Sequence, residues 1–319
     1  MVLDSILLIV GFIVLIKGAD IFVDGASSVA GNFKVPKILI GLTIVAFGTS
    51  APEFAVSVKS IVSGNHDIVL GNVIGSNILN ILLILGVSSV IKPLVVNDNT
   101  VKKELPMMIL MMTIFGTVLS DSVFDKGMTN NFPRTDGIVI LLFFSVFVYY
   151  LVKMALRGRR KEEANEGELM SLSKSIIFTV VGIAMITIGS NLVVDKASSI
   201  AKIIGVSEKM IGLTIIALGT SLPELVTSIT ASKKGESDLA IGNIVGSNIF
   251  NIGIVMGIPV TIFGGINTIN FNAIDLLVML ISSLLLFVFL LGDRKLSKKE
   301  GIIFLIIFVA YYSYVIISG

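Results

Sequence analysis

The chain has no cysteine, no tryptophan and a single histidine, His66, among 319 residues. Without cysteine there are no disulfides and no thiolate metal sites, and no redox compartment can be read from it. A lone histidine in a short loop reads as a solvated residue, and with none inside an apolar run, Zn²⁺ and Cu²⁺ sites are disfavoured. Charge is scarce as well, at 14% of residues. No polar segment exceeds a few dozen residues, which excludes a soluble catalytic domain. What remains is 54% hydrophobic with a mean hydropathy of +0.98, far from soluble averages. This is a membrane protein. The N-terminus carries Asp4 ahead of its first apolar run and no basic leader, so it reads as a retained first span.

Apolar runs of spanning length fall at roughly 5–23, 38–62, 68–91, 105–121, 136–156, 174–195, 209–232, 239–263, 272–291 and 300–317. The expected fold is therefore an all-α membrane protein of ten transmembrane helices. The polar stretch from Arg157 to Glu168 divides it: residues 1–156 form a first five-helix repeat, 157–173 a cytoplasmic linker, and 174–319 a second five-helix repeat.

The repeat is written in two signatures. Residues 40–53 read IGLTIVAFGTSAPE and residues 211–224 read IGLTIIALGTSLPE, identical at eleven of fourteen positions and 171 residues apart. LGNVIGSNILNI from Leu70 and IGNIVGSNIFNI from Ile241 share that offset, so the signatures extend over 40–81 and 211–252. Gly11, Gly18, Asp24 and Asp67 likewise match Gly182, Gly189, Asp195 and Asp238. An odd number of spans per copy forces the second copy upside down, the inverted-repeat plan of many secondary transporters. With the N-terminus outside, the inner loops hold seventeen Lys and Arg and the outer loops five, which places both termini outside.

Glu53 and Glu224 each lie inside an apolar, membrane-length segment, where a charge costs several kcal/mol and marks function. Pro52 and Pro223 are expected to break their helices and to free carbonyls around Ala46–Gly48 and Ala217–Gly219. Thr49 and Ser50 lie four and three residues before Glu53, sharing its face; Thr220 and Ser221 do the same for Glu224. Asn72, Ser76 and Asn80, and Asn243, Ser247 and Asn251, form one polar stripe per helix. Gly71 with Gly75, and Gly242 with Gly246, allow close helix approach. Bringing these helices together makes an all-oxygen ligand set of the kind hard cations such as Ca²⁺ require. Asp67 and Asp238 read as helix N-caps, and Asp136 and Asp275 as residues opening their spans.

Paired GTSxPE and GNxxGSNxxN segments in inverted halves resemble the cation/Ca²⁺ exchanger superfamily, specifically its prokaryotic sodium/calcium exchanger branch. The resemblance covers the whole chain and differs from the H⁺/Ca²⁺ branch, whose motif is GNAxE-like. It implies a plasma-membrane antiporter that exchanges Na⁺ for Ca²⁺ by alternating access, with these ions as cargo, no cofactor, no enzymatic activity, the lipid bilayer as its surroundings, no nucleic-acid partner and no obligate protein partner. Carried onto this sequence, the implied ion ligands are Glu53, Glu224, Thr49, Ser50, Thr220 and Ser221, backbone oxygens of Ala46 and Ala217, Ser76, Ser247, Asn80 and Asn251. Members often carry Asp at one of the last two positions; here both are Asn. The resemblance also implies that the first and sixth spans slide across the other eight; Gly11, Gly18 and Gly25 are spaced by seven and Gly182 and Gly189 repeat the spacing, a smooth stripe that suits either sliding or tight static packing. Rival readings are an H⁺-coupled cation exchanger, a channel, and an intramembrane hydrolase with a Glu dyad.

Overall fold

The computed structural model describes residues 1–121, 131–158, 169–205, 217–267 and 273–318. Residues 159–168 of the expected linker, the start of the expected seventh span and residues 211–216 of the second signature lie outside the described residues.

Among the described residues the chain is mainly helical. In order, the elements are α1 (Val2–Phe33), α2 (Lys37–Thr49), α3 (Ala51–Val62), α4 (His66–Ile91), α5 (Leu105–Val118), α6 (Arg134–Gly158), α7 (Leu172–Ile203), α8 (Ala217–Thr220), α9 (Leu222–Lys234), α10 (Ser237–Phe263), α11 (Ala273–Leu291) and α12 (Lys298–Ser318). Two antiparallel two-residue ribbons tie loops together: β1 (Leu94–Val95) with β4 (Lys295–Leu296), and β2 (Asn131–Phe132) with β3 (Ile266–Asn267). Among the described residues seven helices are long and apolar enough to cross a membrane, or eight when the bent pair α2–α3 is one span. Leu105–Val118, in the expected fourth span, is only 14 residues long as a regular helix, extended at its start by a wide turn over Thr100–Glu104.

Burial ranks the helices. Within their spanning windows, α10 is 89% buried and α4 72%, whereas α1 and α7 are 33% and α12 only 11%. The two helices carrying the GNxxGSNxxN signature are thus the core, the broken helices α2–α3 and α9 bury much of their surface beside them, and α1, α6, α7, α11 and α12 present exposed Ile, Leu, Val and Phe to lipid. A bilayer as solvent permits this arrangement, because apolar side chains lose nothing by facing lipid.

Of the two readings of the glycine stripe, the contacts show tight packing. A Cβ on Gly182 would meet Phe22 Cα at 2.6 Å, one on Gly189 would meet Leu15 N at 2.6 Å, and one on Gly18 would meet Met185 Cβ at 2.7 Å. The glycines therefore let α1 and α7 pack antiparallel against each other, backbone on backbone. Each of these helices is 32 residues long, about 48 Å at 1.5 Å per residue. Asp4 of α1 pairs with Lys196 of α7. Near the opposite end of α1, Lys234 of α9 pairs with Asp24 at 2.7 Å. Ser27 donates to Glu236, which also accepts from Lys37 at 2.8 Å.

The repeat reaches further than the signatures. Glu104 and Asp275 are also 171 residues apart, and each accepts a hydrogen bond from a tyrosine of the next helix: Tyr150 for Glu104 and Tyr311 (2.8 Å) for Asp275. The expected N-caps are corrected. Asn65 and Glu236 occupy the cap positions without side-chain cap bonds, and Asp67 and Asp238 lie in the first turn. Asp238 is instead held by both its oxygens to Asn97.

Candidate cation site

Both GTSxPE segments break, and they break at serine. α2 ends at Thr49, Ser50 leaves helical geometry (φ −83°, ψ 6°), and α3 resumes at Ala51 with its axis turned by 46°. Ser221 repeats this between α8 and α9 at φ −88°, ψ 4°. Pro52 and Pro223 sit in the first turn of the new helix, where a missing N–H is tolerated; the prolines open the second helix two residues after the break. Fewer carbonyls are freed than expected in the first copy. That of Ala46 still accepts from the Ser50 N–H (3.0 Å). Ala217 begins the described part of the second copy.

The break puts Glu53 and Glu224 in the first turn of α3 and α9, where the positive end of the helix dipole favours a carboxylate. Each is only 1% exposed. Hydroxyls then reach them, and the serines at the breaks do so across the repeats. Ser50 Oγ donates to Glu224 Oε1 at 3.0 Å, and Ser221 Oγ lies 3.5 Å from Glu53 Oε1. Ser247 Oγ is 3.4 Å from Glu224 Oε1, and Ser76 Oγ is 3.4 Å from Ser221 Oγ. Thr49 Oγ1 donates to Asn243 Oδ1 at 3.0 Å. Ser50 and Ser221 share a face with the carboxylate of their own helix in sequence, and in the structure each reaches the carboxylate of the other repeat. Thr220 closes α8, immediately before the break.

The GNxxGSNxxN helices form the opposing walls. Gly242 lies against Gly41, with 2.9 Å between the would-be Cβ and Gly41 Cα, and Gly246 lies against Leu42 and Ala46. The counterparts for Gly71 and Gly75, residues 212–217, lie almost wholly outside the described residues. Asn72 and Asn243 act as braces. Asn72 Nδ2 donates to Glu53 O (3.0 Å) and Ser57 Oγ (3.1 Å), and Asn243 Nδ2 to Glu224 O (3.4 Å) and Ser228 Oγ (2.9 Å). Each pins a broken helix to its neighbour. Asn80 and Asn251 each begin a π-helical turn, Asn80–Leu85 and Asn251–Met256, an irregularity frequent at functional sites.

What this arrangement lacks is donors. Nine buried side-chain N or O atoms among the described residues have no hydrogen-bond partner, and four belong here: Glu53 Oε2, Glu224 Oε2, Asn80 Oδ1 and Asn251 Oδ1. An unmet buried polar atom costs about 1–3 kcal/mol, more when charged, so concentrating them in one polar cluster requires compensation. A hard cation, which takes oxygen ligands, is the kind of group that would supply it. Ser57 continues the face of Glu53 in sequence, whereas Ser228, Asn77 and Asn248 are site neighbours that sequence reasoning missed. Ser57 and Ser228 carry the 171 offset as a signal, and Asn77 and Asn248 stand inside the quoted signature but off its four-residue stripe.

Comparison with known proteins points the same way. The family model described as sodium/calcium exchanger protein matches residues 4–153 and 174–317. The chain is 40% identical to CaxA of Alkalimonas amylolytica, over 98% of each. It is 29% identical to the sodium/calcium exchanger MaX1 of Methanosarcina acetivorans, over 97% of each. Among solved structures, the sodium-calcium exchanger NCX_Mj soaked with Na⁺ and Sr²⁺ superposes with a TM-score of 0.85 at 31% identity, covering 98% of both chains.

Proposed function

From the premise that this chain belongs to the sodium/calcium exchanger family, we propose that it is a Na⁺/Ca²⁺ antiporter working by alternating access. The observation that carries this is the crossed pair of buried carboxylates, each with one oxygen hydrogen-bonded to the other repeat and one without a donor. Two formal negative charges match one divalent cation or two Na⁺. Oxygens shared by both ions make their occupancy mutually exclusive, and exclusion is what couples their movement. The ligands in this reading are Glu53, Glu224, Thr49, Ser50, Thr220, Ser221, Ser76, Ser247, Asn80 and Asn251, with backbone oxygens of Ala46 and Ala217.

The same reading takes the chain as ten spans in two inverted halves, 1–156 and 174–319, joined by a cytoplasmic linker. The loop contacts support it by sorting onto two faces. Asn97–Asp238, Asp98–Arg294 and β1–β4 share one face, while β2–β3 and Arg134–Ile262 share the other. α5 runs from the first set to the second, as a span must. The excess of Lys and Arg on the first face puts it inside the cell and both termini outside. The plasma membrane is the boundary across which such exchange operates.

A second reading is H⁺ coupling, favoured by one observation: a proton on Glu53 Oε2 or Glu224 Oε2 would equally meet the missing partner. Calorimetric Ca²⁺ titrations at several Na⁺ concentrations separate the two. Na⁺ coupling predicts an apparent Ca²⁺ affinity that weakens as Na⁺ rises. An affinity indifferent to Na⁺ but lost on acidification contradicts it.

A further inference from the structure

Behind Asn80 and Asn251 stands a second row of side chains that the ligand set does not include. Asn80 Nδ2 donates to Asn248 Oδ1 at 2.9 Å, and Asn248 Nδ2 faces Met108 Sδ at 3.6 Å. The mirror chain runs from Asn251 Nδ2 to Asn77 Oδ1 at 3.5 Å and from Asn77 Nδ2 to Met279 Sδ at 3.8 Å. Asn77 with Asn248, Asn80 with Asn251 and Met108 with Met279 all hold the 171-residue offset. Each chain crosses from one repeat to the other and back. All four asparagines and both methionines are buried.

Chemistry gives these chains a direction. A thioether has no N–H or O–H and can only accept, weakly. An amide beside it therefore turns its NH₂ to the sulfur, which leaves its oxygen pointing away. In Asn248 that oxygen receives the NH₂ of Asn80, and Asn80 is left with Oδ1 unpartnered; in the mirror chain Asn251 Oδ1 is left the same way. Were both amides of one chain reversed, Asn80 would present its NH₂, which repels a cation and suits a carboxylate. Asn248 would then set its oxygen against the sulfur lone pairs.

Resting on the cation-site reading above, we propose that Asn77 and Asn248, each oriented by a methionine sulfur, are positioning residues that make Asn251 and Asn80 present oxygen to the transported ion. Met279 and Met108 are the origin of that polarity. In their absence the empty site can satisfy itself, with the Asn80 and Asn251 NH₂ groups turned toward it, and cation binding must first reverse the amides.

The test is Ca²⁺ binding by calorimetry to purified full-length protein, with ion-free melting temperature measured beside it. Met108→Leu and Met279→Leu nearly conserve volume, a swap that cores tolerate, and delete the acceptor. Each should weaken Ca²⁺ affinity by about two- to tenfold, the worth of one hydrogen bond, with little change in ion-free melting temperature. Met108→Gln restores an acceptor at similar reach and should recover most of the affinity; if the position 108 variants do not fold, Met279→Leu and Met279→Gln carry the comparison. Unchanged affinity in the Leu variants overturns the proposal, as does a loss that Gln does not recover, since side-chain shape would then be the cause. Wild-type protein that binds neither Ca²⁺ nor Na⁺ would overturn the cation-site reading itself, and the positioning role with it.

Discussion

Ser50→Ala, taken in two different backgrounds, examines the crossed site one bond at a time. The hydroxyl lies 3.0 Å from Glu224 Oε1 on the other repeat. A hydrogen bond to a charged group is worth about 1.5–3 kcal/mol. Ser247, 3.4 Å from the same oxygen, can close up and return part of that. The net loss is then about 1 kcal/mol, roughly fivefold in Ca²⁺ affinity. Ser221→Ala removes a longer contact, 3.5 Å to Glu53 Oε1, and should cost less. The decisive comparison is a pair of double-mutant cycles. Glu224→Asp keeps the charge but withdraws the carboxylate by one methylene, out of reach of Ser50. Ser50→Ala should then add little in the Glu224→Asp background and its full effect in Glu53→Asp. Calcium titration calorimetry on the six proteins reads this directly. Coupling of Ser50 to Glu53, with none to Glu224, would refute the crossed arrangement.

Three further outcomes are expected. Glu53→Gln and Glu224→Gln should each abolish Ca²⁺ exchange in proteoliposomes while leaving the melting temperature close to wild type, because shape is kept and half the site's charge is lost; near-normal flux in either would remove that residue from the ligand set. Gly182→Ala should destabilise the protein by about 1–3 kcal/mol, read as a lowered melting temperature, because the new Cβ meets Phe22 backbone at 2.6 Å and α1 must move off α7; an unchanged melting temperature would contradict the backbone-on-backbone packing. Asp98, held by Lys102 and Arg294, has a carboxyl below its usual range. Its contribution to the β1–β4 ribbon should be fully present above the unfolded carboxylate value of about 3.9 and disappear as pH falls through the depressed one. Hydrogen exchange at the Val96 amide, bonded to Arg294 O at 2.7 Å, should accelerate only there in wild type and at all pH values in Asp98→Asn; pH-independent protection in wild type would contradict it.

Much of the site was legible because it is local. The Glu, the hydroxyls beside it, the asparagine stripe and the 171-residue offset are all runs of neighbouring residues, and burial of the two Glu follows from the apolar segments around them. What escaped lies between helices. Nothing in GTSxPE says that Ser50 reaches Glu224 and not Glu53, because that depends on how a serine break turns α3 against α9. Met108 and Met279 stand in apolar runs where methionine is ordinary filling; only the facing amides give their sulfurs a role. Tyr150 and Tyr311 sit near span ends as interfacial tyrosines do, and their carboxylate partners are on other spans. The glycine stripe was visible, but spacing does not name a partner, and α7 turned out to be that partner. Pro52 was assigned the break itself, whereas a proline near a helix start is compatible with opening a helix, and the serine before it supplies the turn.

The central claim is that the two crossed carboxylates bind Ca²⁺ and Na⁺ in alternation and so couple their transport. Its most direct measurement is ⁴⁵Ca²⁺ flux into proteoliposomes of the purified protein under separately imposed Na⁺, K⁺ and H⁺ gradients. The account predicts uptake driven by an outward Na⁺ gradient, absent in Glu53→Gln and Glu224→Gln, with K⁺ and H⁺ gradients alone ineffective. Uptake that follows a pH gradient and ignores Na⁺, or that persists in both Gln variants, would contradict it.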